Sequence, residues 1–541
     1  MKILGICAAS LSPRSKALFD ALGEAFGMSF EQRAFGDDRD IDGWIVLAAD
    51  RKLASVIDRA TRPCYVVLDD AELLSCGTSS KVTFANRPEL ASVLRGRDVM
   101  ADDAVEAKAL PHWLPGVTPL AFKEGSPIWA VQGRSDCRHH YVAQAPPELN
   151  DDEALFTHFS GQRIARLVPL VLFLRALADQ QGWEPPPLQA AFMFDDPNLH
   201  WTSYGFIDFA EMVRHAVEGR YHVSMATIPL DGWFIHQPTS AIFKENTRWI
   251  SLLCHGNDHV SRELARYQSA EAMRRMLGEA LGRIARLEAR TGLDVARVMA
   301  PPHGACSETA LSGMAHLGFE AVCVSRGSLR HHNPAAAWTR TIGMRPCDIV
   351  AGLPIIPRFG LTKNCRNDIL IAALLGQPIV PMTHHQAVAE GYGLLDETAS
   401  FVNSLGEVLW RDMKTISRSL YSHRQDDGTL CVRMLSKRVS VPVLAGTTQI
   451  QVEPPRSEES AEGALFWRTM GEDRGWTAAS GREPIAVHGG TTVEFASDPV
   501  GATRTEPQSA RPSRLAPAAR RLLTEVRDRA LPSIRRIARR G

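Results

Sequence analysis

Between Leu188 and His385 short apolar runs alternate with helical patterns, and this alternation limits the possible folds more than any other feature of the chain. Strands are expected at 189–194, 222–228, 249–254, 296–300, 320–324, 349–355 and 378–382. Helices are expected near 205–218, 262–290, 307–316 and 365–375, the second with apolar residues three and four apart, as on an amphipathic outer helix. Parallel strands need a crossover, usually a helix, between neighbours. Repeating that unit predicts a (β/α) barrel, complete or incomplete.

The rest of the chain is arranged around this core. Residues 1–150 alternate strands at 2–8, 44–48 and 64–68 with helices at 15–26 and 52–60, the pattern of a small α/β sandwich with a parallel sheet. No Gly-x-Gly-x-x-Gly follows its first strand, so a structural or partner-binding part is expected there rather than a dinucleotide site. Residues 151–187 read as a linker and a helix, closed by Pro185-Pro186-Pro187. Helical text follows at 397–420, then a β-rich module at 421–500 whose strands are broken by Gly, Pro and Ser, and a linker with a basic amphipathic tail at 501–541.

Composition removes several classes. Lys plus Arg is 61 and Asp plus Glu is 61, so a polyanion-coating protein is not expected and nucleic acid is an unfavoured partner. Ten cysteines without a Cys-x-x-Cys pair exclude a disulfide framework and a cysteine zinc site, and suit a reducing compartment. The opening Met1–Ser10 lacks the apolar core and cleavage site of a secretory leader, so a cytoplasmic protein is expected.

Twelve of the eighteen histidines lie between 191 and 385, and their placement says more than their number. In parallel α/β folds the residues just past the strand C-termini converge on one mouth. The first strand ends in Phe194-Asp195-Asp196-Pro197-Asn198, followed by His200 and Trp201. Two adjacent carboxylates there are costly to bury unless a cation or a shared proton relieves them, although an Asp-Pro turn is the simpler reading of the pair alone. The third strand ends in His255-Gly256-Asn257-Asp258-His259, whose two imidazoles can face one ion. The fourth ends in Ala300-Pro301-Pro302-His303-Gly304, and the last in Val380-Pro381-Met382-Thr383-His384-His385.

In this order, each at a strand end, these motifs resemble the polysaccharide deacetylase family with the NodB-type domain, carbohydrate esterase family 4, over residues 188–420. Phe194-Asp195-Asp196 is similar to the family's first motif and His255–His259 to its second. Ala300–Gly304 is similar to the third motif and Val380–His384 to the fifth. The variant text Phe-Asp-Asp-Pro-Asn-x-His looks like a bacterial branch associated with surface-polysaccharide, including O-antigen, biosynthesis. The resemblance implies a distorted (β/α)7 barrel and removal of acetyl groups from an N-acetylated saccharide. It implies that Asp196, His255 and His259 hold one divalent metal ion, with zinc the expected one. Asp195 would be the general base and His384 the general acid, with His385 as the neighbouring alternative. The turn at Pro302 and His303 would face the substrate, and His200 and Trp201 are candidates to line a sugar cleft, since aromatic faces stack on pyranose rings.

The sequence departs from the family where it matters to the base. The third-motif Arg that orients the catalytic Asp is Ala300 here, and Arg326, just past the fifth strand, is the candidate replacement. Two other readings therefore stand beside the deacetylase: a metal-bearing barrel that cleaves glycosidic bonds, and a sugar-binding or scaffold protein of a polysaccharide assembly complex. The last 28 residues, Arg514–Gly541, carry nine arginines against Glu525 and Asp528. This tail is expected to be solvated or drawn to an anionic membrane surface, which would place the protein at the periphery of the inner membrane.

Overall fold

The computed structural model describes residues 2–114, 116–134, 137–178, 182–266, 269–455, 465–471, 475–479, 483–497 and 515–538. The expected linker at 501–513, with Arg514, Arg539 and Arg540, lies outside the described residues. The chain divides into two compact units. One comprises Met1–Gln181, Ala337–Arg345 and Arg366–Leu375; the other comprises Gly182–Ala336, Pro346–Cys365 and Gly376–Gly541.

The first unit contains a nine-stranded sheet. Lys2–Cys7, Gly43–Ala49 and Cys64–Leu68 form where expected and pair in parallel, flanked by Met28–Gln32 and Cys137–Val142. The sheet then continues through four antiparallel strands, so it is mixed and larger than the expected parallel sandwich. The turn between Thr118–Lys123 and Ser126–Arg134 explains the difference. Glu124 (φ 48°) and Gly125 (φ 80°) both take positive φ, the two-residue hairpin that keeps successive strands antiparallel.

In the second unit, β1 (Phe192–Asp195), β2 (Val223–Thr227), β3 (Ile250–Cys254), β4 (Val295–Met299) and β5 (Ala321–Val324) lie close to their expected positions. The run expected at 349–355 divides into β6 (Asp348–Val350) and β7 (Leu353–Pro357), followed by β8 (Phe359–Gly360) and β9 (Pro381–Thr383). The sheet order is β6-β7-β5-β4-β3-β2-β1-β9-β8, parallel except for β6 against β7. The hydrogen-bonded ladder thus has two ends, and the expected closed ring of seven strands is not seen. The ends are nevertheless joined through the chain: β7 pairs with β5, β8 pairs with β9, and only Arg358 stands between them. The expected long helix follows as Glu263–Arg266 and Ala270–Thr291, the latter capped by Ser269 and ended by the left-handed Gly292. Its buried face includes Met273, Leu277, Leu281 and Ile284, spaced three and four apart as the sequence implied.

Beyond the helices Gly393–Asn403 and Met413–Arg418, two four-stranded sheets at residues 421–496 close on Val432, Val439, Val452 and Phe495. The C-terminal segment is a helix, Leu515–Ala538, seated on the loops that follow β1, β2 and β9. Arg521 binds Asp231 (Nη2–Oδ2 2.5 Å), Glu525 binds His200 (3.0 Å), and the Tyr204 hydroxyl donates to Asp528 (3.1 Å). The expected free tail is therefore a docked element of this unit. Among the described residues no helix is long and apolar enough to cross a membrane.

Candidate metal centre

The apolar run Phe192–Phe194 buries β1 and carries Asp195 to its very end, where the side chain is buried; the chain then turns at Asp196 with φ 81°. Positive φ is uncommon for a residue with a Cβ, and Asp is among the few types that tolerate it. The turn sets the two carboxylates apart. Asp195 faces the interior beside Arg358, whose Nη1 donates to its Oδ1 at 2.8 Å and whose Nη2 donates to the Pro301 carbonyl at 3.4 Å. Asp196 meets the histidines of the β3 loop: its Oδ1 lies 3.3 Å from His255 Nε2 and 3.0 Å from His259 Nε2.

One atom from each of these three side chains lies within 4.8 Å of the other two, and among the described residues this is the one such cluster of His, Cys, Asp or Glu. The chemistry of the donor set fits a cation. The Nδ1–H of His255 donates to the Ala300 carbonyl at 2.8 Å, which leaves Nε2 as a lone pair facing the carboxylate. Asp196 Oδ1 is itself buried without a hydrogen-bond donor. Lone pairs converging on an unsatisfied carboxylate oxygen repel unless a positive charge sits among them. Without a cation, protons on the imidazoles would have to take its place: burial opposes ionisation of Asp196, but protonated His255 and His259 then outweigh it and hold its carboxyl well below the usual range. Burial likewise opposes the imidazolium of His255, while the Asp195 and Asp196 carboxylates raise its pKa above the ordinary value.

The β3 loop is fixed from behind. Glu263 accepts the backbone N–H groups of Asn257 (2.7 Å), Asp258 (3.1 Å) and Val260 (3.4 Å), and Arg283 donates to Asn257 Oδ1 at 2.8 Å and pairs with Asp258. Gly256 has φ +63°, and a Cβ there would run into the Glu263 carboxylate and the Pro302 ring. Gly256→Ala is expected to cost about 1–3 kcal/mol through backbone strain alone. It should also weaken metal binding, read by unfolding midpoint and metal content of the same preparation.

The other candidate residues fall on both sides of this centre. His384 is half-exposed, with Nε2 4.0 Å from Asp196 Oδ2. His385 is buried and turned away: its Nε2 lies 3.7 Å from Asp528, and its Nδ1 accepts the Phe206 N–H at 3.4 Å. His303, in the turn Pro302–Gly304 with φ 56°, brings its ring to 5.0 Å from that of His259; burial and then the His259 charge lower its pKa. His200 does not face a cleft. Its ring nitrogens are taken by Glu525 and by the Asp231 carbonyl (2.9 Å), so it anchors the C-terminal helix instead of a sugar. Trp201 is exposed, with its ring 6.1 Å from that of His236.

The guanidinium seen at Asp195 is that of Arg358, where Arg326 was the expected candidate. The strand expected at 349–355 ends three residues short of it, whereas β7 runs to Pro357. The signal was present in the text, a cation directly after an apolar strand ending in Pro357. Glu263 and Arg283 were also passed over, since an acid and a base on a charged amphipathic helix read as solvated. Beside His303 a polar cleft of about 490 Å³ is lined by Ser261, Arg262, Ser328, His331 and His332.

No family model and no curated protein matches this sequence. Solved structures that match part of the chain include a protein from Mycobacterium smegmatis provisionally named a polysaccharide deacetylase, 14% identical, covering 44% of this chain and 91% of that one with a TM-score of 0.32. A family 4 carbohydrate esterase from Streptomyces lividans, in complex with acetate, is 11% identical and covers 42% of this chain and 92% of its own, at a TM-score of 0.25. A CE4 family pseudoenzyme from Bacillus anthracis is 11% identical and covers 44% of this chain and 67% of its own, also at 0.25. These likenesses are remote, and the chemistry of the site rests on its own residues.

Proposed function

We propose that the chain is a metal-dependent hydrolase that removes acetyl groups from an N-acetylated saccharide during assembly of a bacterial surface polysaccharide. The observation that carries this reading is the convergence of Asp196, His255 and His259, with Asp195 locked to Arg358 beside them and His384 on the open side. A divalent ion held by the three side chains, zinc being the expected one, supplies polarisation of the acyl carbonyl and makes water nucleophilic near neutral pH.

The protein's own groups do the remaining work. Asp195, held in place by the Arg358 guanidinium, takes the proton of the attacking water. As the water oxygen bonds to the acyl carbon, the backbone N–H of His303, in the turn after Pro302, is the donor for the developing oxyanion. The C–N bond then breaks, and His384 gives a proton to the departing nitrogen, leaving acetate and an amino sugar. Sugar hydroxyls are accommodated by the polar cleft beside His303.

The scaffold reading rests on the loss of the third-motif Arg and loses support, since a guanidinium from the joint between β7 and β8 reaches Asp195. Glycosidic cleavage asks for a second carboxylate near Asp195, for which the sequence offers Asp258, here paired with Arg283, and Asp348. Acetate and new reducing ends, measured together on N-acetylated oligosaccharides, test the proposal. Acetate release without new reducing ends is expected, falling by about 10²–10⁴-fold in Asp195→Asn with metal retained. Reducing ends without acetate, or an unchanged rate in Asp195→Asn, would overturn it.

A further inference from the structure

The docked C-terminal helix has two unlike faces. Arg521, Glu525 and Asp528 point inward to Asp231, His200, Tyr204 and His385. Leu522 and Val526, one turn apart, and Leu523 beside them point outward, between 59% and 71% exposed. The loops that receive the helix add Trp201, Trp233 and Phe234 to the same rim, each at least 43% exposed. Trp233 and Phe234 surround the residue that anchors the helix, since the His200 ring that binds Glu525 lies 5.3 Å from Trp233 and 5.9 Å from Phe234, and Trp201 follows His200 in the chain. Among the described residues, six of the twelve exposed large hydrophobic side chains thus lie on the C-terminal helix and the loops that receive it. Scattered apolar residues need no explanation, but a contiguous group of this size marks a surface that meets something apolar.

The charge around the group chooses the occupant. Arg520 and Arg527 are exposed beside the outward stripe, and the sequence from Arg514 onward carries seven more positive than negative charges. Apolar side chains at the centre, indole rings at the edge and arginines around them are what an interfacial helix presents to lipid headgroups. We propose that the rim bearing the candidate centre docks on an anionic lipid bilayer, with the C-terminal helix lying in the headgroup plane. The surface is independent of the reaction assigned to the site. Its consequence is that saccharides carried on a lipid meet the centre without leaving the membrane.

Co-sedimentation of the full chain with vesicles tests this, using phosphatidylcholine alone and phosphatidylcholine with phosphatidylglycerol. Binding to the anionic vesicles is expected, weakening as salt rises. Leu522→Glu/Leu523→Glu/Val526→Glu should bind at least about tenfold more weakly. Its metal content and its acetate release from a water-soluble substrate should not change, which separates this surface from the centre and shows that the variant folds. Equal binding to both kinds of vesicle, or full binding by the triple variant, would overturn the proposal. So would a concentration-dependent dimer of the native chain that the triple variant abolishes while neither binds vesicles, because a second copy would then be the occupant.

Discussion

Replacing His255 with alanine is expected to leave the purified protein without its metal. The side chain is buried, supplies one of three converging ligand atoms, and has its tautomer set by the Ala300 carbonyl. Losing even an outer hydrogen bond to a metal-binding histidine weakens binding by roughly 10–100-fold, so loss of the ligand itself should exceed that range. The variant should also lose whatever stability the bound ion gives the native state, by ordinary mass action. Metal analysis after dialysis, with a thermal scan in the presence and absence of added zinc, checks both. Native protein should carry about one ion per chain and gain stability from zinc. The variant should do neither. Retention of a full complement by His255→Ala would mean that the cluster is an ion-paired turn, and the enzymatic reading would fall with it.

Arg358→Met should cause the largest loss of stability at the centre. Both the guanidinium and the Asp195 carboxylate are almost fully buried, and they meet at 2.8 Å. Removing one partner of a buried pair strands the other charge and typically costs about 3–5 kcal/mol. On the proposed reaction acetate release should fall with it, because Asp195 is no longer held. The ligands are untouched, so metal content should stay near native, which distinguishes this variant from His255→Ala. Adding Asp195→Asn to Arg358→Met should recover part of the lost stability, since the stranded charge is gone, while activity stays low. Denaturant midpoints for the four proteins of this cycle give the coupling. Strictly additive losses would show that the two side chains do not act as a pair.

Much of the centre was legible in the sequence because strand ends can be found from apolar runs, and parallel strands place their ends together. That rule singles out Asp195, Asp196, His255, His259 and His384 from text spread over residues 195–384, and the structure clusters Asp196, His255 and His259. It distinguished poorly between adjacent residues. Nothing in His384-His385 says which ring looks out, and the answer came from Asp528, more than a hundred residues away. His200 failed for the same reason, as its partner Glu525 sits on a helix whose docking no local pattern announces. The antiparallel half of the first unit is not legible because its strands are only partly apolar and the two longest are joined by an ordinary-looking Glu124-Gly125. Arg358 shows the cost of a boundary error: two or three residues at a strand end decide whether a side chain belongs to the site.

The way β7 runs into β8 has a further meaning for how this centre can change. Arg358 is the single residue at the point where the chain leaves one neighbour, β5, for another, β9. Successive side chains on an extended segment alternate in direction, so one residue added or removed there would turn the guanidinium away from Asp195. The same residue that pairs with Asp195 therefore acts as a fixed spacer across the seam of the sheet. The position of that pair depends on the count of residues at this joint.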